Sequence, residues 1–186
     1  MKATAFNILT EPGSDGTLSA YNLDFVEIST MATYKLFNNP SIGLGYLYRW
    51  SEPFEQEDEF EHRLMEQIGF ISMKGSVRMG HRIRLEQRWK SEGLIHRFRY
   101  RFSIDKPLMG ESLDPNEPYI IGANELLFSA GLPISFFAEY RIGGGIGWFF
   151  SRNSKLEIQP QYRLNGILED DLVHFLVLYT TFYMNF

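Results

Sequence analysis

Arginine or glutamate occupies every second position through Arg82-Ile83-Arg84-Leu85-Glu86-Gln87-Arg88, and arginine does so again through Arg97-Phe98-Arg99-Tyr100-Arg101. A guanidinium is a planar fork of donors that meets a carboxylate or a phosphate through two parallel hydrogen bonds. Such residues in neighbouring segments can cross-link one another or hold an anion. The candidates for one network are Arg82, Arg84, Glu86, Arg88, Arg97, Arg99, Arg101, Glu125, Glu139, Arg141, Glu157 and Arg163, with cross-links expected through Glu86, Glu125 and Glu139. Three chemistries are open to them: structural ion pairing, capture of an anion or phosphate by the arginine surplus, and acid–base work by Glu86 or Glu125. The third is the weakest, because surrounding arginines hold a carboxylate ionised.

Other chemistry-bearing residues form no constellation. His62, His81, His96 and His174 are scattered, with no pair at metal-ligand spacing and no serine or cysteine beside them in a nucleophile motif. They are expected at surfaces or interfaces, and neither a metal nor an organic cofactor is expected. Gly143-Gly144-Gly145-Ile146-Gly147 has no helix after it. It therefore reads as a place of curvature or close packing instead of a phosphate loop. Acidic residues gather at Glu52, Glu55, Glu57, Asp58, Glu59 and Glu61 and again at Glu169, Asp170 and Asp171, where solvated connections are expected. A divalent-cation site there would lack the calcium-loop spacing.

The alternation itself dictates the element that carries these side chains. Residues two apart share a face on a strand, whereas a helix would spread arginine and phenylalanine round its whole circumference. Turn signals divide the chain into ten strand-length segments near 2–10, 22–37, 41–51, 61–73, 77–89, 94–105, 118–129, 136–150, 155–165 and 172–186. No helix is expected, and no linker divides 1–186 into two domains. The connection at 106–117 is long where a short turn was due.

Composition narrows the class. The 186 residues include no cysteine, so disulfides and thiolate metal sites are excluded. Net charge is −5, which argues against nucleic acid as a partner. Aromatics reach 16%, yet no apolar run approaches the roughly 20 residues of a membrane helix. Each strand segment is long enough to cross a bilayer when tilted, for which roughly 9–11 residues suffice.

Two barrels fit this pattern, a soluble one with aromatics inside and a membrane one with aromatics outside. In lipid, each outward arginine near the midplane would cost about 2–4 kcal/mol, so a membrane barrel must turn Arg82, Arg84, Arg88, Arg97, Arg99 and Arg101 inward. Turning all the aromatic faces inward would overfill a small soluble barrel. The chain also ends in a strand whose Leu178, Phe182, Met184 and Phe186 share one face. Phe182, Met184 and Phe186 resemble the carboxy-terminal insertion signal of outer-membrane barrels, and Trp50, Trp89, Trp148 and Tyr46 fall near strand ends as interfacial aromatics do.

The succession Gly80-His81-Arg82-Ile83-Arg84-Leu85-Glu86-Gln87-Arg88-Trp89, then His96-Arg97-Phe98-Arg99-Tyr100-Arg101, then Asn124-Glu125-Leu126-Leu127-Phe128 resembles the bacterial family known as domain of unknown function 2490. The resemblance is clearest over roughly 80–186. It implies an outer-membrane-type barrel in Gram-negative bacteria and carries no catalytic residues with it.

The expectation is an all-β protein: a single antiparallel up-and-down transmembrane β-barrel of about ten strands, with a charged, side-chain-filled lumen. Its partners would be the lipid bilayer with its lipopolysaccharide and the barrel-assembly machinery. Met1 to Asn7 lacks the apolar stretch of a secretory signal, so outer-membrane localisation expects that segment to have been removed. The leading role is structural or interaction-based. A narrow anion-leaning pore, a lipid-modifying outer-membrane enzyme and a soluble lipocalin-like barrel for an apolar ligand are the alternatives.

Overall fold

The computed structural model describes residues 5–9, 22–37, 40–51, 59–132, 136–169 and 172–184, with side chains from Val26 onward. Alternating β-branched, aromatic and charged residues form strands because each pleat sends one set to each face. After a five-residue strand, β1 (Ala5–Leu9), come nine longer ones: β2 (Asn22–Lys35), β3 (Ser41–Ser51), β4 (Glu59–Lys74), β5 (Val77–Lys90), β6 (Gly93–Pro107), β7 (Glu117–Gly131), β8 (Phe137–Ser151), β9 (Ser154–Asn165) and β10 (Val173–Met184). From β2 to β10 each strand pairs antiparallel with its sequence neighbour, giving one curled up-and-down sheet without a helix among the described residues.

Connections therefore alternate between two ends. The upper end joins β3 to β4, β5 to β6, β7 to β8 and β9 to β10. The lower end joins β2 to β3, β4 to β5, β6 to β7 and β8 to β9. The β4–β5 turn is only Gly75-Ser76, and Gly75 has φ 59°, a left-handed conformation that glycine adopts without a Cβ penalty. The long lower connection runs from Leu108 to Asn116. It is pinned by Leu108 N donating to Pro118 O at 3.1 Å and by the Trp148 indole donating to Asn116 Oδ1 at 3.3 Å.

Register brings the expected polar residues together. Arg84 stands opposite Arg99, Glu86 opposite Arg97, Arg101 opposite Glu125, and Glu125 opposite Arg141. The polar set is the shielded one. Glu86, Glu125 and Glu157 are only 1–2% exposed, whereas Leu85, Ile142, Ile146 and Leu176 on the other set are 47–58% exposed. Charged residues are almost never buried without a partner, so the shielded set must pair within itself.

Candidate functional site

Along the inner face, three carboxylates each collect several guanidinium groups. Glu61 accepts from both Arg88 donors at 2.6 Å and from Arg63 at 2.8 Å. Glu86 meets Arg99 at 2.7 Å, with Arg84 and Arg63 each at 3.5 Å. Glu125 meets Arg99 at 2.7 Å, Arg82 at 3.2 Å and Arg141 at 4.0 Å. Arg99 thus bridges Glu86 of β5 to Glu125 of β7 across its own strand. Charge-assisted bonds of this kind are among the strong ones, and they offset part of the large cost of taking ions out of water. Arg49 of β3 reaches Glu27 of β2 in the same manner.

Several network members take other partners than the sequence suggests. Glu139, expected to cross-link strands, pairs with Arg141 of its own strand at 2.5 and 2.8 Å, because residues two apart share a face. Glu157 is held by Lys155 at 2.5 Å, by the Tyr119 hydroxyl at 2.6 Å and by Gln159 at 2.7 Å, with no arginine ion pair among the described residues. Arg97 donates to Ser129 Oγ at 2.8 Å, and Arg163 donates to Gln161 Oε1 at 3.0 Å and lies 5.1 Å from the Tyr179 ring centroid. Arg97, Arg101 and Arg163 have no carboxylate ion pair among the described residues.

Glu61, Arg63, Tyr119 and Lys155 belong to the site without having been singled out for it. Glu61 falls among acidic residues that read as a connection, but β4 already begins at Glu59. Its signal was the strand-spaced Glu61, Arg63, Met65. Nor is the inner face wholly charged: Met31, Leu47 and Met65 form a buried apolar cluster between β2 and β4. Of the glycine run, Gly147 answers the expectation of close packing, since a Cβ there would overlap the Tyr119 ring. Glu52, Glu55, Glu57, Asp58, Asp170, Asp171 and Phe186 lie outside the described residues.

Three cavities follow the inner face. The uppermost, about 290 Å³, is lined by eight arginines, Arg97, Arg101, Arg141 and Arg163 among them, by the carboxylates Glu27, Glu125 and Glu139, and by neutral residues such as Gln161 and Tyr179. The lowest, about 370 Å³, lies between Arg78, Asp105, Tyr119 and Lys155 and the Leu108–Asn116 connection, which contributes Glu111, Ser112 and Leu113. A smaller one of about 220 Å³ shares Arg101 with the first and Arg78 and Asp105 with the second.

The outer face carries all four histidines. His62 Nδ1 lies 2.5 Å from the Tyr46 hydroxyl, His81 Nδ1 2.8 Å from that of Tyr100, and His174 Nδ1 2.5 Å from that of Tyr162. Tyr48, Trp50 and Phe60 stack beside His62 toward the upper end, and Phe102 packs on His81 toward the lower. Among the described residues one carboxylate breaks the apolar pattern between these bands: Glu66, exposed midway along β4 and opposite Leu44 and Leu85.

A family model described as "Protein of unknown function (DUF2490)" matches residues 11–168. The chain belongs to that family. Membership therefore reaches further toward the amino terminus than the motifs of 80–186, and it includes the carboxylates and guanidinium groups of the central belt. No curated protein and no solved structure matches the chain.

Proposed function

We propose that this DUF2490 protein is an integral barrel of the Gram-negative outer membrane, its sheet closed and its lumen filled by the arginine–glutamate network, with a structural or interaction role. The observation that carries this reading is the inverted burial: charge shielded inside, and leucine, isoleucine and aromatics exposed outside with tyrosine and tryptophan toward the ends. Closure is supported by β1, whose register sets Ala5 opposite Thr181 of β10 and also opposite Glu27 of β2. Phe182 and Met184, on the outer face of β10, would serve with Phe186 as the insertion signal read by the assembly machinery. The bilayer and its lipopolysaccharide would then be the partners of the apolar face.

Two measurements on the purified chain test this. Without detergent the protein should aggregate, and in detergent the unheated form should migrate faster on a gel than the boiled one, as closed barrels do. A monodisperse, folded protein in plain buffer would contradict it.

The narrow anion-leaning pore is kept as a second reading by one observation, the sharing of Arg101, Arg78 and Asp105 between successive cavities along the inner face. Single-channel recording in planar bilayers decides it. Discrete openings with anion preference favour the pore, and a silent membrane containing folded protein favours the filled lumen.

A further inference from the structure

Resting on the inward orientation of the arginines, we infer that the upper cavity is a binding site for a phosphate-class dianion, held by Arg97, Arg101 and Arg163. Eight arginines but only three carboxylates, Glu27, Glu125 and Glu139, line this polar cavity of about 290 Å³; the carboxylates pair with other arginines, and Arg97, Arg101 and Arg163 have no carboxylate ion pair among the described residues. Arg97 and Arg163 each spend one Nε donor, on Ser129 and Gln161, and their terminal nitrogens meet no hydrogen-bond acceptor among the described residues. Arg99, whose buried Nε has no hydrogen-bond acceptor among the described residues, lines the same space.

Burying more cations than carboxylates is costly, and an anion that supplies the missing charge recovers part of that cost on binding. Arg97 and Arg101 stand on β6 and Arg163 on β9, so the donors converge from separate walls. That arrangement suits the several oxygens of a tetrahedral phosphate better than one planar carboxylate. The volume is at the small end of ligand pockets, roughly 300–1,000 Å³, which fits a phosphate or a small phosphate monoester. Phe137, the first residue of β8, and Asn165, the last of β9, also line the cavity, so it reaches the upper strand ends where a ligand can enter. Gln161, Tyr179 and Thr181 offer neutral donors and acceptors for a hydroxyl-bearing carrier.

The test is titration calorimetry on folded protein, in detergent or in buffer according to which the chain requires, with inorganic phosphate, glycerol 3-phosphate and micelle-inserted short-chain phosphatidic acid as probes, and glycerol as the neutral control. Saturable binding of the phosphate probes, weakened at least about tenfold in Arg163→Gln and again in Arg97→Gln, is expected. Arg163→Lys should fall between, and Arg78→Gln, whose side chain pairs with Asp105 in the lower cavity, should leave affinity unchanged. Tighter binding of phosphatidic acid than of glycerol 3-phosphate identifies a lipid headgroup as the source, and the reverse identifies a soluble ester. Folded wild-type protein that binds no phosphate probe, or binding untouched by Arg163→Gln and Arg97→Gln, overturns the site while leaving the barrel standing. Failure of the barrel shows instead as folding without detergent.

Discussion

Arg99 and Arg163 occupy the same inner face and are held by different chemistry. Arg99 bridges two carboxylates at 2.7 Å each and joins three strands, whereas Arg163 has an amide oxygen and a tyrosine ring. Charge pairing is thus concentrated in a belt through Glu61, Glu86 and Glu125, and of the arginines lining the upper cavity Arg97 and Arg163 have only neutral hydrogen-bond partners among the described residues. The belt ties the sheet together, and the cavity above it is where a charged guest would gain most.

Breaking the belt should produce the largest effect. Glu125→Ala strips Arg99 of one partner and Arg82 of its carboxylate, so unfolding in lipid vesicles should lose about 3–5 kcal/mol, read as a lower urea midpoint. A loss no larger than that of a surface substitution would mean that the belt does not hold the sheet. Next comes the outer face: Leu85→Arg, one residue from the buried Glu86, should cost about 2–4 kcal/mol in a bilayer, measured by the same unfolding in vesicles. Glu66→Leu should act in the opposite sense, gaining up to about 2 kcal/mol, because it removes a lone carboxylate from among Leu44 and Leu85. Equal stability of wild type and Glu66→Leu in vesicles would show that this stretch of β4 does not meet lipid. The smallest change is expected for Arg163→Gln, within about 1 kcal/mol in the absence of phosphate, since no ion pair is lost. A loss matching that of Glu125→Ala would erase the distinction between the two regions.

Strand positions were legible because period two leaves little freedom: the segment expected at 41–51 is β3 to the residue, and that at 77–89 misses only Lys90. The division of each strand into a charged and an apolar set was legible too, since a one-residue slip exchanges the two sets. Partner choice was not. Glu139 and Arg141 are neighbours on one pleat, and nothing in their spacing says whether a fork will turn along the strand or across it. Glu61 hid among acidic residues at a strand start, and no spacing marks Tyr119, whose ring fits only because Gly147 stands opposite it. Such contacts depend on which side chains converge across a curled sheet, a property of tertiary geometry that one strand's sequence does not contain.

The central claim is that the apolar face meets lipid, and the absence of cysteine allows it to be tested residue by residue along β5. Single cysteines placed in turn from Arg82 to Gln87 and spin-labelled in vesicles should show oxygen accessibility rising at Ile83 and Leu85 and falling at Arg84 and Glu86, with period two. Labels at Ile83 and Leu85 that a water-soluble relaxation agent reaches as freely as a label in a loop would contradict it.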